Sequence, residues 1–444
     1  MVLHAVLRHE RPDDEVRIVD PAVDLDRAEQ LAEMAREFEP DLVGLSSLIV
    51  ELPLVRQYAG LLRRAAPAAT IVVGGPCASS AAAAVLAAEA VDFAVVGEGE
   101  LPLVQLCRAL DGGGDLADVD GLVRRGKDGV LEARPAAPPF EPLDDLPLLD
   151  WSSIRLDAYG KVFNMSDLPV ADDRYASLMT TRGCPYHCSY CHDIFGRRVR
   201  AFSVERLMQE LEPLVEDHCV RDVHFFDDIF NYRPGRIQQF CAAIKRRQWD
   251  LRIAFPNGLR GDQLTREEIR LLRDAGCYSF SVAVETTSRR YQELVGKRLD
   301  VERTLDNVRF AAGLGIVTRA FVMIGFPGET EQQMVDTIET VADSAFDIIN
   351  VFTVTPHPST ELHRYVVERG YDLSELSGES FDYDRGFINV SAVADERFRG
   401  IIHWARHMVY EKEHRKRRLE KVFQDFGIGR YAVADRSIWE LIRR

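Results

Sequence analysis

Short apolar runs and stretches of helical spacing alternate along most of the chain. Asp41–Ser46, Thr70–Val73 and Phe93–Val96 are brief apolar stretches that end in small residues or glycines, the pattern of buried strands. Glu15–Asp20 reads as a further short strand. Between them, Leu25, Ala28, Leu31, Ala32 and Ala35 recur at helical spacing within Leu25–Phe38. Val55–Ala66, Ala81–Ala90 and Leu101–Leu110 read as helices too, and the glycine turns Gly74-Gly75-Pro76 and Gly97-Glu98-Gly99-Glu100 follow two of the strands. This alternation predicts an α/β fold over residues 1–134, a doubly wound parallel sheet with its ligand crevice at the carboxyl ends of the strands.

Gly112–Gly114 interrupts the pattern, and Asp115–Pro138 reads as a small β appendage. Pro135–Pro147 carries five prolines among several acids, so 135–172 is the expected linker, with Trp151 and Tyr159 packing it against its neighbours. Near Tyr175 the alternation resumes. Ala176–Thr180, Val223–Phe226, Arg252–Phe255, Ser279–Ala283, Arg319–Ile324 and Ile349–Thr353 read as strands. Val204–His218, Arg236–Trp249, Arg266–Ala275, Val301–Leu314 and Glu331–Ser344 read as helices. Six such units predict a partial (β/α)6 barrel over 173–364, with its site at the carboxyl ends of the strands. Residues 365–444 read as a helical, charged segment that closes the substrate site. Phe381, Tyr383, Phe387, His403 and Trp404 are its candidate lid residues, although aromatics at helical spacing are more often core.

A length of 444 residues agrees with several domains. The net charge of −16 gives no global attraction for phosphate backbones or anionic lipid, so nucleic acid and membrane are not expected partners. Basic residues do cluster in Gly196–Arg200 and His414–Arg418, and the second run reads as a solvated helix face. Met1–Glu10 lacks the layout of a signal peptide and no run of 18 apolar residues exists, so a cytoplasmic location is expected.

The eight cysteines are too sparse for a disulfide framework, yet three crowd into Cys184-Pro185-Tyr186-His187-Cys188-Ser189-Tyr190-Cys191, directly after a strand. The spacing is Cys-x3-Cys-x2-Cys. Thiolates are the ligands that iron–sulfur clusters require, and three thiolates on four irons leave one iron open to chelate a substrate. The competing reading is a zinc site of Cys184, Cys188 and Cys191 with His187 or His192. The remaining cysteines lie among helices and apolar runs and read as small core residues.

With this motif the chain resembles the radical S-adenosylmethionine (SAM) enzymes that carry an N-terminal cobalamin-binding domain, over most of its length to about Leu362. The resemblance implies a [4Fe–4S] cluster on Cys184, Cys188 and Cys191. It also implies SAM as the ligand of the open iron, reductive cleavage to a 5′-deoxyadenosyl radical, and a flavodoxin- or ferredoxin-type reductant. Carried over by position, it assigns Asp227 and Asp228 to the SAM methionyl group, Asn257 and Arg260 to polar contacts with SAM, and Glu285 to the ribose. It also assigns Gly325 to a close backbone approach and Pro356 to backbone facing adenine. Tyr232, His224 and His357 are the candidate acids and bases, with Asp228 beside them.

The N-terminal part departs from the family. Val2–Arg8 aligns with the family's first helix and Glu15–Asp20 with its second strand, so the first strand is missing. No Asp-x-His-x-x-Gly motif is present either. The expectation is a trimmed scaffold with cobalamin doubted as its ligand, although a misplaced start codon would leave the same pattern. That architecture suits diol dehydration of a small polar metabolite, as in aminoglycoside biosynthesis, with an NAD(P)H dehydrogenase acting on the product. The alternative is a cobalamin-dependent methyltransferase or cyclase.

Overall fold

The computed structural model describes residues 1–159, 172, 174–373, 388–411 and 417–418. In the N-terminal sheet, β1 (Leu42–Ser46), β2 (Thr70–Gly74) and β3 (Phe93–Val95) run parallel in that order. The appendage read from the sequence joins this sheet. Its strands β4 (Leu122–Arg125) and β5 (Leu131–Ala133) extend it antiparallel beyond β3. One face is covered by Glu29–Phe38, Leu52–Ala65 and Gly75–Leu86 around Val55, Ala59, Ile71, Val73 and Val85. Val2–Glu10 packs on Glu100–Leu110.

Glu15–Asp20 is not a strand. In a doubly wound sheet of order 2-1-3-4-5, the outermost strand bonds only to the first. Here a helix, Val2–Glu10, precedes the segment, and β1 is the edge of the sheet. An extended segment without a neighbouring ladder has no partners for its backbone groups and does not register as β structure.

The second sheet is wholly parallel, in the order β13 (Ile348–Thr353), β12 (Val317–Ile324), β11 (Cys277–Glu285), β10 (Arg252–Phe255), β9 (Asp222–Phe225) and β6 (Tyr175–Leu178). Alternation along each strand sorts the side chains. Val223 and Phe225 join the helix-facing core, where Phe225, Phe230, Phe240 and Phe255 pack ring on ring. Asp222 and His224 point the other way.

A short ribbon closes the cysteine loop at its base: β7 (Thr181–Arg182) pairs antiparallel with β8 (Arg200–Ala201). The helix Asp395–Glu411 packs against Glu331–Ala342 and β13 and buries Phe398, Ile401 and Ala405. Trp404 packs against the same core, whereas His403 is exposed beside His407. Phe381, Tyr383 and Phe387 lie outside the described residues. No described helix is long and apolar enough to cross a membrane.

Candidate active site

The cysteine loop follows β6 and ends over the carboxyl ends of the barrel strands. Ser189 N donates to the Val295 carbonyl at 2.9 Å, and Leu362 N donates to the Ser189 carbonyl at 2.8 Å. Gly296 lies against the loop so closely that a Cβ there would meet the His187 carbonyl at 2.4 Å. Behind it, Tyr291, Val295, Phe326, Val354, Leu362, Val366, Ile388 and Val390 form a separate apolar shell.

Cys184, Cys188 and Cys191 line one cavity of about 300 Å³ with Tyr186, Tyr190, His192, Asp228, Asn257, Gly258, Arg260, Glu285 and Lys297. Burial, then the neighbouring Cys188 sulfur, pushes the Cys191 thiol up to about 12. Burial raises the Cys184 thiol as well, and bound iron would supply the positive charge that makes such thiols thiolates. Among the described residues, no three His, Cys, Asp or Glu side chains converge as a single metal ion would need. The donor set, three thiols lining one cavity, suits an iron–sulfur cluster, and the rest of the cavity leaves room for a ligand on an open iron.

Glu285 stands at the end of β11, where the ladder to β12 shifts register, and its φ of 65° lies in the left-handed region. A non-glycine residue held there marks strain that the surrounding structure sustains, a feature that clusters at functional sites. Its Oε1 accepts a hydrogen bond from the Tyr190 hydroxyl at 2.9 Å and lies 3.5 Å from Lys297 Nζ. Burial and the Glu285 carboxylate hold the Tyr190 phenol well above its usual value, so its proton stays on the bond to Glu285.

The other residues read from the sequence divide. Asp228 and Asn257 line the cavity with Glu285. Asp228 accepts from Gly183 N at 2.8 Å. Asp227 lies beneath the cavity wall. Its oxygens accept from Thr180 N, from Thr180 Oγ1 at 2.7 Å and from Thr181 N at 2.7 Å, and burial raises its carboxyl to about 6. Its place is to tie β9 to the start of the cysteine loop.

Arg260 lines the cavity, but its guanidinium is committed. Nε donates to Asp262 at 2.7 Å, Nη1 to the Lys297 carbonyl at 3.0 Å and Nη2 to the Arg298 carbonyl at 3.0 Å. The expected two-pronged grip on a SAM carboxylate has no free fork to make it. Lys297 brings an ammonium group into the cavity instead.

His224 is a correction. It is fully buried away from the cavity, with Nε2 3.0 Å from the Tyr278 hydroxyl and 3.3 Å from Asp222. Tyr232 is another. The loop after β9 turns it toward a second cavity of about 420 Å³, beside Arg198, Arg233 and Arg236. His357 and Pro356 follow β13 outside the cavity lining. Burial, then the charge of nearby His192, lowers the His357 imidazole pKa.

Gly325 (φ 90°) does not line the cavity either; a Cβ on it would meet the Phe398 ring at 2.4 Å, so it admits the C-terminal helix rather than a ligand. Sequence reasoning missed Tyr190 and Lys297. The aromatic between the last two cysteines was a usable signal for the first. Lys297 sits in a turn twelve positions after Glu285 and carries no motif.

The turn after β12 is held by Glu329, whose Oε2 accepts from Gly325 N at 2.7 Å and Phe326 N at 3.0 Å while Oε1 is buried without a partner among the described residues. Burial raises this carboxyl from 4.5 to about 7, against the two N–H bonds. The folded state therefore binds more protons than the unfolded state across that window. Stability should be full below 4.5 and fall by ~1.4 kcal/mol per pH unit as pH rises through the window. Urea midpoints at pH 5 and pH 8 should show this loss in the wild type, and it should shrink in Glu329→Gln.

Ser46, Ser47, Gly74, Gly75, Ser79 and Gly97 gather at the ends of β1 to β3. Gly75 has φ 75°, and a Cβ on it would meet Ser46 Oγ at 2.7 Å, while the buried Ser47 hydroxyl stands within hydrogen-bond reach of the Cys77 thiol. Gly97 N donates to Ser79 Oγ at 3.0 Å. A cradle that only glycine fits, lined by serine hydroxyls, suits a bulky ligand with polar edges.

Comparison with known proteins agrees with this geometry. Residues 178–341 match the model of the radical SAM superfamily, and residues 1–107 match the B12 binding domain. An uncharacterised methyltransferase of Pyrococcus horikoshii is 26% identical over 360 residues, covering 80% of this chain and 76% of its own. The cytidylyl-2-hydroxyethylphosphonate methyltransferase of Streptomyces wedmorensis is 25% identical over 397 residues, covering 83% and 74%. The fold matches that of the radical SAM methyltransferase TsrM from Kitasatospora setae, solved with cobalamin and a [4Fe–4S] cluster, at a TM-score of 0.70 and 20% identity, covering 91% of this chain and 86% of that one. Three thiols in one ligand-sized cavity, beside a six-stranded parallel sheet, agree with that match: the chain carries a radical SAM domain over residues 178–341, the kind that uses a [4Fe–4S] cluster and SAM, and a B12-binding domain over residues 1–107.

Proposed function

We propose that the protein is a cobalamin-dependent radical SAM methyltransferase. The observation that carries this reading is the cradle at the ends of β1 to β3, with its glycine-only contact at Gly75 beside Ser46 and Ser47. The match to the B12 binding domain over the same segment and the methyltransferase relatives support it. Diol dehydration rested on a scaffold too trimmed to hold cobalamin, and it yields to methyl transfer as the favoured reaction.

When bound, the cluster supplies an electron to SAM, and cobalamin carries the methyl group to the substrate. The chain's own part is positioning. Cys184, Cys188 and Cys191 hold the cluster, while Glu285 offers an oxygen acceptor and Lys297 an ammonium donor to the polar ends of SAM. Tyr190 fixes the orientation of Glu285, and Ser47 and Ser79 offer hydroxyls to the cobalamin edge. The apolar shell behind the loop keeps water from the cluster on that side.

The test is anaerobic reconstitution with iron, sulfide and hydroxocobalamin, then incubation with SAM, a reductant and a library of candidate acceptors. Near-stoichiometric cobalt beside about four irons per chain, with S-adenosylhomocysteine formed alongside 5′-deoxyadenosine, is the expected result. Iron without cobalt, and 5′-deoxyadenosine as the sole nucleoside product, would overturn it and return the search to dehydration or rearrangement.

A further inference from the structure

Two arginines that bracket the cysteine loop leave the barrel and converge on carboxylates of the N-terminal domain. Arg182 lies on β7, two residues before Cys184, and Arg200 lies opposite on β8. Arg182 Nη1 donates to Glu98 at 2.6 Å and Nη2 to Glu100 at 2.6 Å. Arg200 grips both oxygens of Glu98 with its two Nη atoms, through Nη1 at 3.0 Å, and also donates to the carbonyls of Phe140 and Phe195. All four charged side chains are buried. Glu98 sits in the glycine turn after β3, in the crevice of the first sheet, and its partners come from the loop that carries the cluster.

The tie is stiff. Gly183, between Arg182 and Cys184, has φ 84°, and a Cβ there would meet the Arg198 carbonyl at 2.5 Å. Gly183 N is held by Asp228 at 2.8 Å, and Cys184 N by the Gly196 carbonyl at 3.3 Å. The Arg182 guanidinium lies 5.4 Å over the ring of Phe195, which lines the cluster cavity. So the first thiol has little freedom to move independently of Arg182. Two positive and two negative groups cancel, and away from water each charge acts over a longer range than at the surface.

From this geometry we propose a second role for the N-terminal domain: Glu98 and Glu100 are positioning residues whose counter-charge, acting through Arg182 and Arg200, sets the reduction potential of the cluster. This rests on the iron–sulfur assignment and not on cobalamin or methyl transfer. Removing a carboxylate leaves an excess positive charge that favours the reduced cluster. Removing an arginine charge leaves an excess negative one that disfavours it.

The experiment is a redox titration of the cluster, followed by electron paramagnetic resonance, in the reconstituted full-length protein. Glu98→Gln should raise the potential and Arg182→Gln lower it. Each should change the reduced-to-oxidised ratio at fixed ambient potential at least about threefold, or ~28 mV at ~59 mV per decade for one electron. The double variant Glu98→Gln/Arg182→Gln, neutral again, should return toward the wild type. Glu100→Gln, which loses only a bond to Arg182, serves if Glu98→Gln does not fold, and should also raise the potential. Shifts of the same sign in the carboxylate and arginine variants, or unchanged potentials with a lowered melting temperature, would overturn the proposal and leave a structural strut. Absence of cluster signal in the wild type would instead sink the iron–sulfur assignment.

Discussion

Cys188→Ala is expected to abolish cluster assembly, and Cys184→Ala and Cys191→Ala to do the same. Iron should fall from about four per chain toward zero, and release of 5′-deoxyadenosine from SAM should drop to background. The reason is the ligand count. Three thiols share the cavity, and among the described residues no third group stands ready to converge on a metal with the remaining two. Cys277→Ala is the matched control. Cys277 is fully buried in the barrel core, far from iron chemistry, and burial pushes its thiol above the range in which it would ionise. That variant should keep its iron and lose about 1 kcal/mol of stability, the ordinary cost of a small core truncation. Iron analysis and SAM-cleavage assays on the four variants check the contrast. A cluster retained in any of the three loop variants would show a ligand set other than the one described.

Glu285→Gln is expected to weaken SAM binding 10- to 100-fold, with iron content unchanged. A carboxylate that accepts a hydrogen bond in a buried site contributes about 1.5–3 kcal/mol more than no bond. Glutamine keeps the shape but replaces one acceptor oxygen by a donor. The resemblance to radical SAM enzymes implies the ribose as the partner of Glu285. Its strained φ, its bond to Tyr190 and its closeness to Lys297 are features of the structure. Lys297→Met should weaken SAM binding by a similar factor, because the cavity's other well-buried cation, Arg260, already serves Asp262 and two carbonyls. The dependence of cleavage rate on SAM concentration separates this from a loss of cluster. Unchanged KM in both variants would place the polar ends of SAM elsewhere in the cavity.

The site was legible where its chemistry is local. Cys184, Cys188 and Cys191 fall within eight residues after a strand, close enough for one local segment to hold them together. That Glu285 and Asp228 line the cavity was legible because each closes an apolar run, and the end of a parallel strand is the open end of a barrel. The failures have a common cause. Tyr232 and His224 flank the same strand as Asp228, but one lies in a loop that turns outward. The other points inward from the strand itself, four positions before Asp228, where Asp222 and Tyr278 satisfy it. Arg260 was read as free because its partner Asp262 is only two positions away, and nothing in the sequence says whether the chain turns to bring them together.

Alternating apolar and helical patterns, with a three-cysteine loop at the first strand of the second domain, determined the two α/β layers and the iron–sulfur chemistry by themselves. Both depend on spacings of a few residues, over which the backbone leaves little choice. Tertiary structure alone decided that Glu15–Asp20 would remain unpaired, since a strand exists only by grace of its neighbour. It also decided that Lys297 would share a cavity with cysteines more than a hundred positions away, and that Glu98 would meet Arg182 and Arg200 across the domain boundary. Buried charges must find partners wherever the fold brings them, and that pairing depends on how the two domains pack rather than on any stretch of sequence.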